Sequence, residues 1–579
     1  MSEVPTTARA HGFLAHTEDA VVGLAALGIA ILPLADIVAR QVFDSYVEGA
    51  DAFAAHLTLL VGMFGAAIAA RDGKLLSLAT GALLPDRMRQ GAAVFAALVG
   101  SAVATVLVFA GVTLIRIDRE QALQVARGIP VWVVDLAFPI AFGLIALRPE
   151  WFHGISVWPI VGILIAAAVC GMPIFGLLGG LGVFLFMAQG DDPANAIINS
   201  YGQLVSEGVR AIPLFTIAGF LLAEGRSSER LLRLFRAFFG WMPGGTAVVT
   251  TALCAFFTTF TGASGVTILA LAGLLMPILI SAKYSEKAAL GLLTGSGSLG
   301  LLFPPCLPMI LYAIVANVKI EEIFLGGILP GCLLVGLTAW WGVRQGPKIA
   351  AEGRKVDWAE AGRAMWAAKW ELLLPVVAMV ALFGGFATPV EASAVTALYA
   401  FIVETFVYRD LSIRRGVPKV LAECGLVIGG VLMILGVAKG FTSYLIFADV
   451  PTSLMGWVTK TVHSPLVFLL ILNLFLLLVG CLMDIFSAIV VVVPLIVPIG
   501  EHFQIDPVHL GIVFLANLEL GYMMPPVGMN LLLASYRLKK PVTVIYRAAL
   551  PMILVLLVGV LVITYVPVMT TFLPRIFQR

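Results

Sequence analysis

Gly300-Leu-Leu-Phe-Pro304-Pro305 reads G-x-x-x-P-P, and the pattern returns at Gly521-Tyr-Met-Met-Pro525-Pro526, 221 residues later. Each copy is followed by an apolar run, 306–315 (CLPMILYAIV) and 527–536 (VGMNLLLASY). About 40 residues before each proline pair lies an apolar segment with a polar break, 256–267 (FFTTFTGASGVT) and 480–487 (GCLMDIFS). A proline pair removes two backbone donors and blocks helix continuation. Glycine tolerates the dihedrals that result. In lipid every backbone group has to be satisfied inside the protein. Each motif therefore predicts a helix unwound at membrane depth, its carbonyls free for a cation and its half-helix N-terminus turned to an anion. A single copy reads as an ordinary proline kink, which membrane helices tolerate. Corresponding interruptions in two halves point to a transporter site built from an internal repeat.

The segments around the breaks extend this reading. Residues 244–281 predict a helical hairpin with its tip at Thr261-Gly262-Ala263-Ser264-Gly265, and residues 465–500 a second one broken at 480–487. Asp484 is the only acidic residue of the second segment before Glu501. A carboxylate inside a membrane is functional by default; its structural alternative is a cap on backbone N–H groups at a helix start.

Composition agrees. Of 579 residues 60% are hydrophobic and 12% charged, against roughly 25% charged in soluble domains. At about 20 apolar residues per span the ceiling is roughly 17 crossings. A soluble enzyme with one anchor is excluded, and the continuous apolar runs exclude a β-barrel. The class is an all-α polytopic membrane protein. The net charge of +2 and the lack of a basic tract interleaved with aromatics exclude nucleic acid as a partner. The six cysteines stand singly, with no CxxC, and no HExxH is present. The first apolar run has no cleavage signal after it and reads as an uncleaved span.

Apolar segments near 20–39, 52–70, 91–115 and 129–147 predict four N-terminal helices, with a break at 148–153. Arg71, Lys74, Arg87 and Arg89 place their loop, and the N-terminus, in the cytoplasm. The run 157–188 is one kinked helix or two spans. Arg226, Arg230, Arg233 and Arg236 read as a basic loop. Lys348, Arg354, Lys355, Arg363 and Lys369, with Trp358, Trp366 and Trp370, read as an amphipathic helix in the interface. Gly295-Ser-Gly297-Ser-Leu-Gly300 matches a dinucleotide fingerprint but lacks any βαβ context. Gly262-Ala263-Ser264-Gly265 matches an intramembrane serine protease, but His56 is the only histidine well inside a span to serve as base.

These residues resemble a tripartite ATP-independent periplasmic (TRAP) transporter with its small and large membrane subunits fused. The resemblance rests on Ile212-Pro213-Leu214-Phe215 with Gly219, 261–267, 299–305, Ile328-Leu329-Pro330-Gly331, Thr388-Pro389 with Glu391-Ala392, Asp506-Pro507 with His509 and Gly511, and 517–526. Residues 153–579 resemble the large subunit closely. Residues 1–152 resemble the small subunit through Arg40, Phe43, Ile129-Pro130 and Trp132, with His56 where a glutamate is common and Leu75 where a histidine is common. The resemblance implies an elevator-type fold with inverted repeats, two re-entrant hairpins and discontinuous helices, beside a four-helix small-subunit domain. It implies a Na⁺-coupled importer of small organic acids in the bacterial inner membrane, fed by a periplasmic substrate-binding protein. At least two Na⁺ sites are implied: one at Ser264, Gly300, Phe303 and Pro305, the mirrored one at Asp484, Gly521, Met524 and Pro526. Substrate would lie against Thr261, Gly262, Ala263, Ser264, Pro304 and Pro525. The alternatives are a receptor-independent anion/Na⁺ symporter of similar fold, a membrane protease using Ser264, and a passive channel. No cationic residue is assigned to the substrate acid group; Arg210, at the start of an apolar segment, reads as an interfacial charge.

Overall fold

The computed structural model describes residues 13–43, 47, 49–71, 86–120, 124–126, 129–146, 157–170, 172–188, 194–262, 264–346, 357–384, 387–525 and 528–577. Ala263, Pro526, Leu75, Lys74, Lys348, Arg354, Lys355 and the 148–153 junction fall outside them. The described chain is helical apart from a two-stranded ribbon, Gln124–Ala126 with Ile129–Pro130. By length and composition nine of its helices are able to cross a bilayer, or up to twelve if each bent pair is one span. The rest of the apolar sequence lies in shorter helices.

The N-terminal helices are Phe13–Phe43, Ala50–Arg71, Asp86–Glu120 and the pair Val131–Asp135 and Ala137–Ala146. The run 157–188 is two helices, Val157–Val169 and Ile174–Ala188. They lie side by side, since a Cβ on Gly180 would stand 3.0 Å from Leu164. Pro173, which has no N–H to continue a helix, sits at the turn.

The 32-residue helix Gly416–Phe447 is the spine. It packs against Ala50–Arg71, Ile174–Ala188, Ala194–Leu204 and Ala211–Glu224, and so joins the N-terminal helices to the rest. Lipid gives helices little hydrophobic reason to associate, so close packing at small residues has to hold them. Gly425-Leu-Val-Ile-Gly429 supplies such a surface. A Cβ on Gly429 would lie 2.1 Å from the carbonyl carbon of Gly65, and one on Gly65 2.4 Å from the Gly425 oxygen. A polar tie runs beside this crossing, with His56 Nε2 2.8 Å from the Tyr201 hydroxyl.

The four arginines expected in a loop instead belong to the helix Ser227–Phe239 and its N-cap Arg226. Their spacing with Leu231, Leu232 and Leu234 makes an amphipathic helix, which the charge count alone conceals. Arg230 turns inward. It pairs with Glu371 and with Asp410 (2.7 Å), lies 3.5 Å from Glu404, and stacks 3.7 Å from the Tyr408 ring. Burial alone depresses a guanidinium pKa, but the hydrogen bonds to Asp410 and Glu371 outweigh it and hold the pKa above its ordinary value. The interfacial helix expected near Trp358 is present as Trp358–Ala367, with Trp358 and Trp366 exposed and Asp357 as its N-cap.

The glycine crossing generates a test. Gly429→Leu forces the spine and Ala50–Arg71 apart, with an expected loss of at least about 1–3 kcal/mol. Gly430→Ala, where a Cβ meets nothing within 4 Å, is the control. Thermal unfolding in detergent should fall clearly for the first and stay unchanged for the second.

Candidate functional site

The duplication of the proline motif extends to whole helices. Helices beginning at Gly245, Ser264, Glu286 and Leu307 are answered by helices beginning at Pro465, Ile485, Pro507 and Met529, each shifted by 220–222 residues. The first hairpin is Gly245–Thr261 and Ser264–Ser281; the second is Pro465–Leu482 and Ile485–His502, closed at its base by Phe468 stacked 4.9 Å from Phe503. The packing is reciprocal. Ser264–Ser281 lies on Met529–Leu538 of the other repeat, and Ile485–His502 lies on Leu307–Ala316.

In the first repeat the helix Glu286–Ser296 ends, a short 3₁₀ turn covers Leu299–Leu302, and Leu307–Ala316 resumes after a 46° bend. The Pro304-Pro305 bond is cis. The unwound stretch lies directly on the first hairpin, because a Cβ on Gly300 would stand 2.3 Å from both the Ala255 oxygen and the Thr259 nitrogen. Hydroxyls line this contact. Thr258 Oγ1 is 2.8 Å from Thr267 Oγ1 and 2.8 Å from the Gly297 carbonyl. Thr259 Oγ1 is 3.3 Å from the Gly300 carbonyl, and Thr261 Oγ1 is 3.5 Å from Thr267 Oγ1. At the tip Gly262 has φ +63°, and a Cβ there would meet Leu307 at 2.7 Å. Thr261, Gly262 and Leu307 are thus adjacent. Ser264 is buried at the start of the second arm. The Phe303 ring packs over Gly331 of the Ile-Leu-Pro-Gly motif.

The second repeat keeps the backbone device and changes the chemistry. Gly521 meets Gly480, with a Cβ on Gly521 placed 2.8 Å from the Gly480 Cα. Gly480 is the position equivalent to Thr259. Gly528 N–H donates to the Cys481 carbonyl (3.3 Å), tying the second break to its hairpin. Gly521 O accepts from Met524 N–H at 2.9 Å. Asp484 is the N-cap of Ile485–His502. It accepts from the Phe486 and Ser487 N–H groups at 3.0 Å and from the Ser487 hydroxyl. Two amides also meet, Asn517 donating to Asn473, which Thr564 reaches at 3.1 Å. Among the described residues no three His, Cys, Asp or Glu side chains converge as a metal site.

A family model for the tripartite ATP-independent periplasmic transporter, DctM component, matches residues 161–569, and one for the DctQ component matches residues 29–149. The chain belongs to the TRAP transporters. It carries both membrane components in one polypeptide, and it is a transporter permease of the inner membrane, not an enzyme. It is similar to the isethionate TRAP transporter permease protein DctMQ of Oleidesulfovibrio alaskensis, 29% identical over 77% of this chain and 76% of that one. It is also similar to the C4-dicarboxylate large permease protein DctM of Pseudomonas aeruginosa, 32% identical over 69% of this chain and 93% of that one. A third relative is the ectoine/5-hydroxyectoine large permease protein UehC of Ruegeria pomeroyi, at 28% over 71% and 96%.

Several motif residues that carry the TRAP resemblance are helix caps. Thr388 and Glu391 form a capping box, and Asp506 caps Pro507–Gly521. The sequence reading missed Thr258, Thr259 and Thr267 as partners of the first break, although a threonine run in an otherwise apolar arm was a usable signal. It also missed Glu519, Ser298 and Lys439.

Gly300→Ala should abolish transport, because the added Cβ meets hairpin backbone that has no room to yield. Gly336→Ala, on a helix face where nothing lies within 4 Å, should transport normally. Uptake by reconstituted protein separates the two.

Proposed function

We propose that this TRAP permease imports small organic anions released by a periplasmic substrate-binding protein, driven by Na⁺ entry and by an elevator movement of the two hairpin–broken-helix units. The observation that carries the reading is the first break, where the Gly297 and Gly300 carbonyls meet the hydroxyls of Thr258, Thr259 and Thr267. Such oxygens replace the hydration shell of Na⁺ without needing a charged ligand. One Na⁺ then lies at Ser264, Gly300, Phe303 and Pro305 with these threonines. A second lies at Gly521, Met524 and Pro526, with Asp484 supplying charge from its cap. Substrate lies between the tips, at Thr261, Gly262, Ala263, Ser264, Pro304 and Pro525.

Charge distribution supports the orientation. Lys419–Glu224 (2.7 Å), Arg233–Glu360 (2.7 Å) and Lys540–Glu286 (2.6 Å) join helix ends whose neighbouring segments are rich in Lys and Arg. The positive-inside rule makes those ends cytoplasmic. The first hairpin then has its base, near Lys283, in the cytoplasm, and the second has its base, near His463 and Glu501, in the periplasm. This is an inverted pair. The helix Ala211–Glu224 touches the first hairpin through Gly219, where a Cβ would lie 2.0 Å from the Phe260 oxygen. A smooth contact of this kind lets a hairpin slide past a fixed helix.

A cavity of about 690 Å³ lies on the periplasmic side between the spine and Leu307–Ala316, lined by Gln203, Asn317, Thr388 and, as its charged groups, Lys319, Lys439 and Glu321. It suits the entry of an anion. Relatives named for isethionate and for C4-dicarboxylates transport anions, and this reading carries that class to the present chain. The relative named for ectoine shows that the substrate differs between members.

Replacing Na⁺ by K⁺ should abolish receptor-dependent uptake in proteoliposomes; undiminished uptake would end the coupling claim, and uptake without receptor would favour a receptor-independent symporter. Thr258→Val should raise the Na⁺ half-saturation about tenfold, the equivalent of ~1.4 kcal/mol. Lys439→Gln should raise the KM for an anionic substrate by a similar factor, as one charge-assisted contact is lost.

A further inference from the structure

Glu519 stands two residues before Gly521, at the end of Pro507–Gly521. Its side chain is 1% exposed, yet neither carboxylate oxygen has a hydrogen-bond partner. Ser298, the equivalent position of the first repeat, is the polar group facing that carboxylate. The Ser298 hydroxyl is fully buried and also lacks a partner of good geometry, as does that of Ser296. The helix bearing Glu519 packs directly on Leu299–Leu302. Among the described residues no ion pair joins Glu519 to a lysine, arginine or histidine.

An ionised carboxylate at this depth is costly without an opposite charge, and among the described residues none is paired with it. The protein does supply hard oxygen donors converging from both repeats, which is the ligand type an alkali cation takes. The nearby main chain is partly engaged: Ser298 O accepts from Leu301 N–H (2.9 Å), and Leu518 O from Tyr522 N–H (3.0 Å). The side-chain oxygens of Glu519, Ser298 and Ser296 are wholly without partners.

We propose that Glu519 and Ser298 form a further Na⁺ site, between the two breaks and distinct from the sites at the hairpin tips. The inference rests on the Na⁺-coupled reading above. Its ligands come from equivalent positions of the two repeats, so occupancy ties Glu286–Leu302 to Pro507–Gly521 and makes the moving unit one body. Ser298 is two residues from Gly300 and Glu519 two from Gly521, so the ion sits between the breaks that form the other sites.

The test is ²²Na⁺ binding to the full-length protein in detergent, with thermal unfolding as a check on folding. Glu519→Gln preserves shape and removes charge, and it should bind one Na⁺ fewer than the parent chain. Ser298→Ala should keep the stoichiometry and raise the half-saturation of one site about tenfold, a single hydrogen-bonding ligand's worth. A folded Glu519→Gln protein with unchanged stoichiometry and affinity would overturn the proposal and make Glu519 a neutral acid. If Glu519→Gln does not fold, an unchanged Na⁺ titration of Ser298→Ala overturns it instead. Uptake by the parent chain that ignores Na⁺ is a separate result, and it counts against the Na⁺-coupled function itself.

Discussion

The two breaks exist because backbone rests on backbone. A helix interrupted by a proline pair leaves amides and carbonyls without partners, and lipid offers none. Here each interruption is laid against the first arm of its own hairpin at a glycine, Gly300 on Ala255 and Thr259, Gly521 on Gly480. Side chains at these points would hold the strands apart and leave polar groups stranded in a dry interior. Contact at Cα distance brings hydroxyls and carbonyls within reach. The hairpins, the half-helices and the reciprocal packing between repeats follow from that requirement.

The surroundings solve a different problem. The spine Gly416–Phe447 gathers the N-terminal helices through Gly65, Gly425 and Gly429, again by backbone approach. At the membrane surface the connections are electrostatic instead. Arg230 holds Glu371 and Asp410 together beneath the ring of Tyr408, which fixes Ser227–Phe239 to the helices around Glu371 and Glu404. Breaking a buried cluster of this type by removing one member costs about 3–5 kcal/mol. Small residues hold the helices together at membrane depth, and a largely buried charge cluster holds them at the rim.

The repeat was legible because proline and glycine act through the backbone, and backbone consequences are local. Two G-x-x-x-P-P motifs with polar breaks upstream marked the stretches where the helices stop and restart. Side-chain partners were less legible. Thr258 and Thr267 meet only after the arm folds back, and Ser298 and Glu519 meet only when two segments 221 residues apart pack together. Asp484 was conspicuous because carboxylates are rare inside a membrane, yet its oxygens here are taken up by the start of Ile485–His502. The Arg226–Arg236 segment was misread because counting charge overlooks the leucines that make it a helix.

The repeats share a mechanical design and differ in charge. Thr258, Thr259 and Thr267 of the first correspond to Val479, Gly480 and Ala488 of the second, while Ala263 and Ser298 correspond to Asp484 and Glu519. One repeat presents neutral hydroxyls at its break, the other carboxylates. Backbone packing allows this division, because the glycine contacts fix the geometry whatever the flanking side chains are. Each break is then free to carry its own side-chain chemistry without moving its backbone.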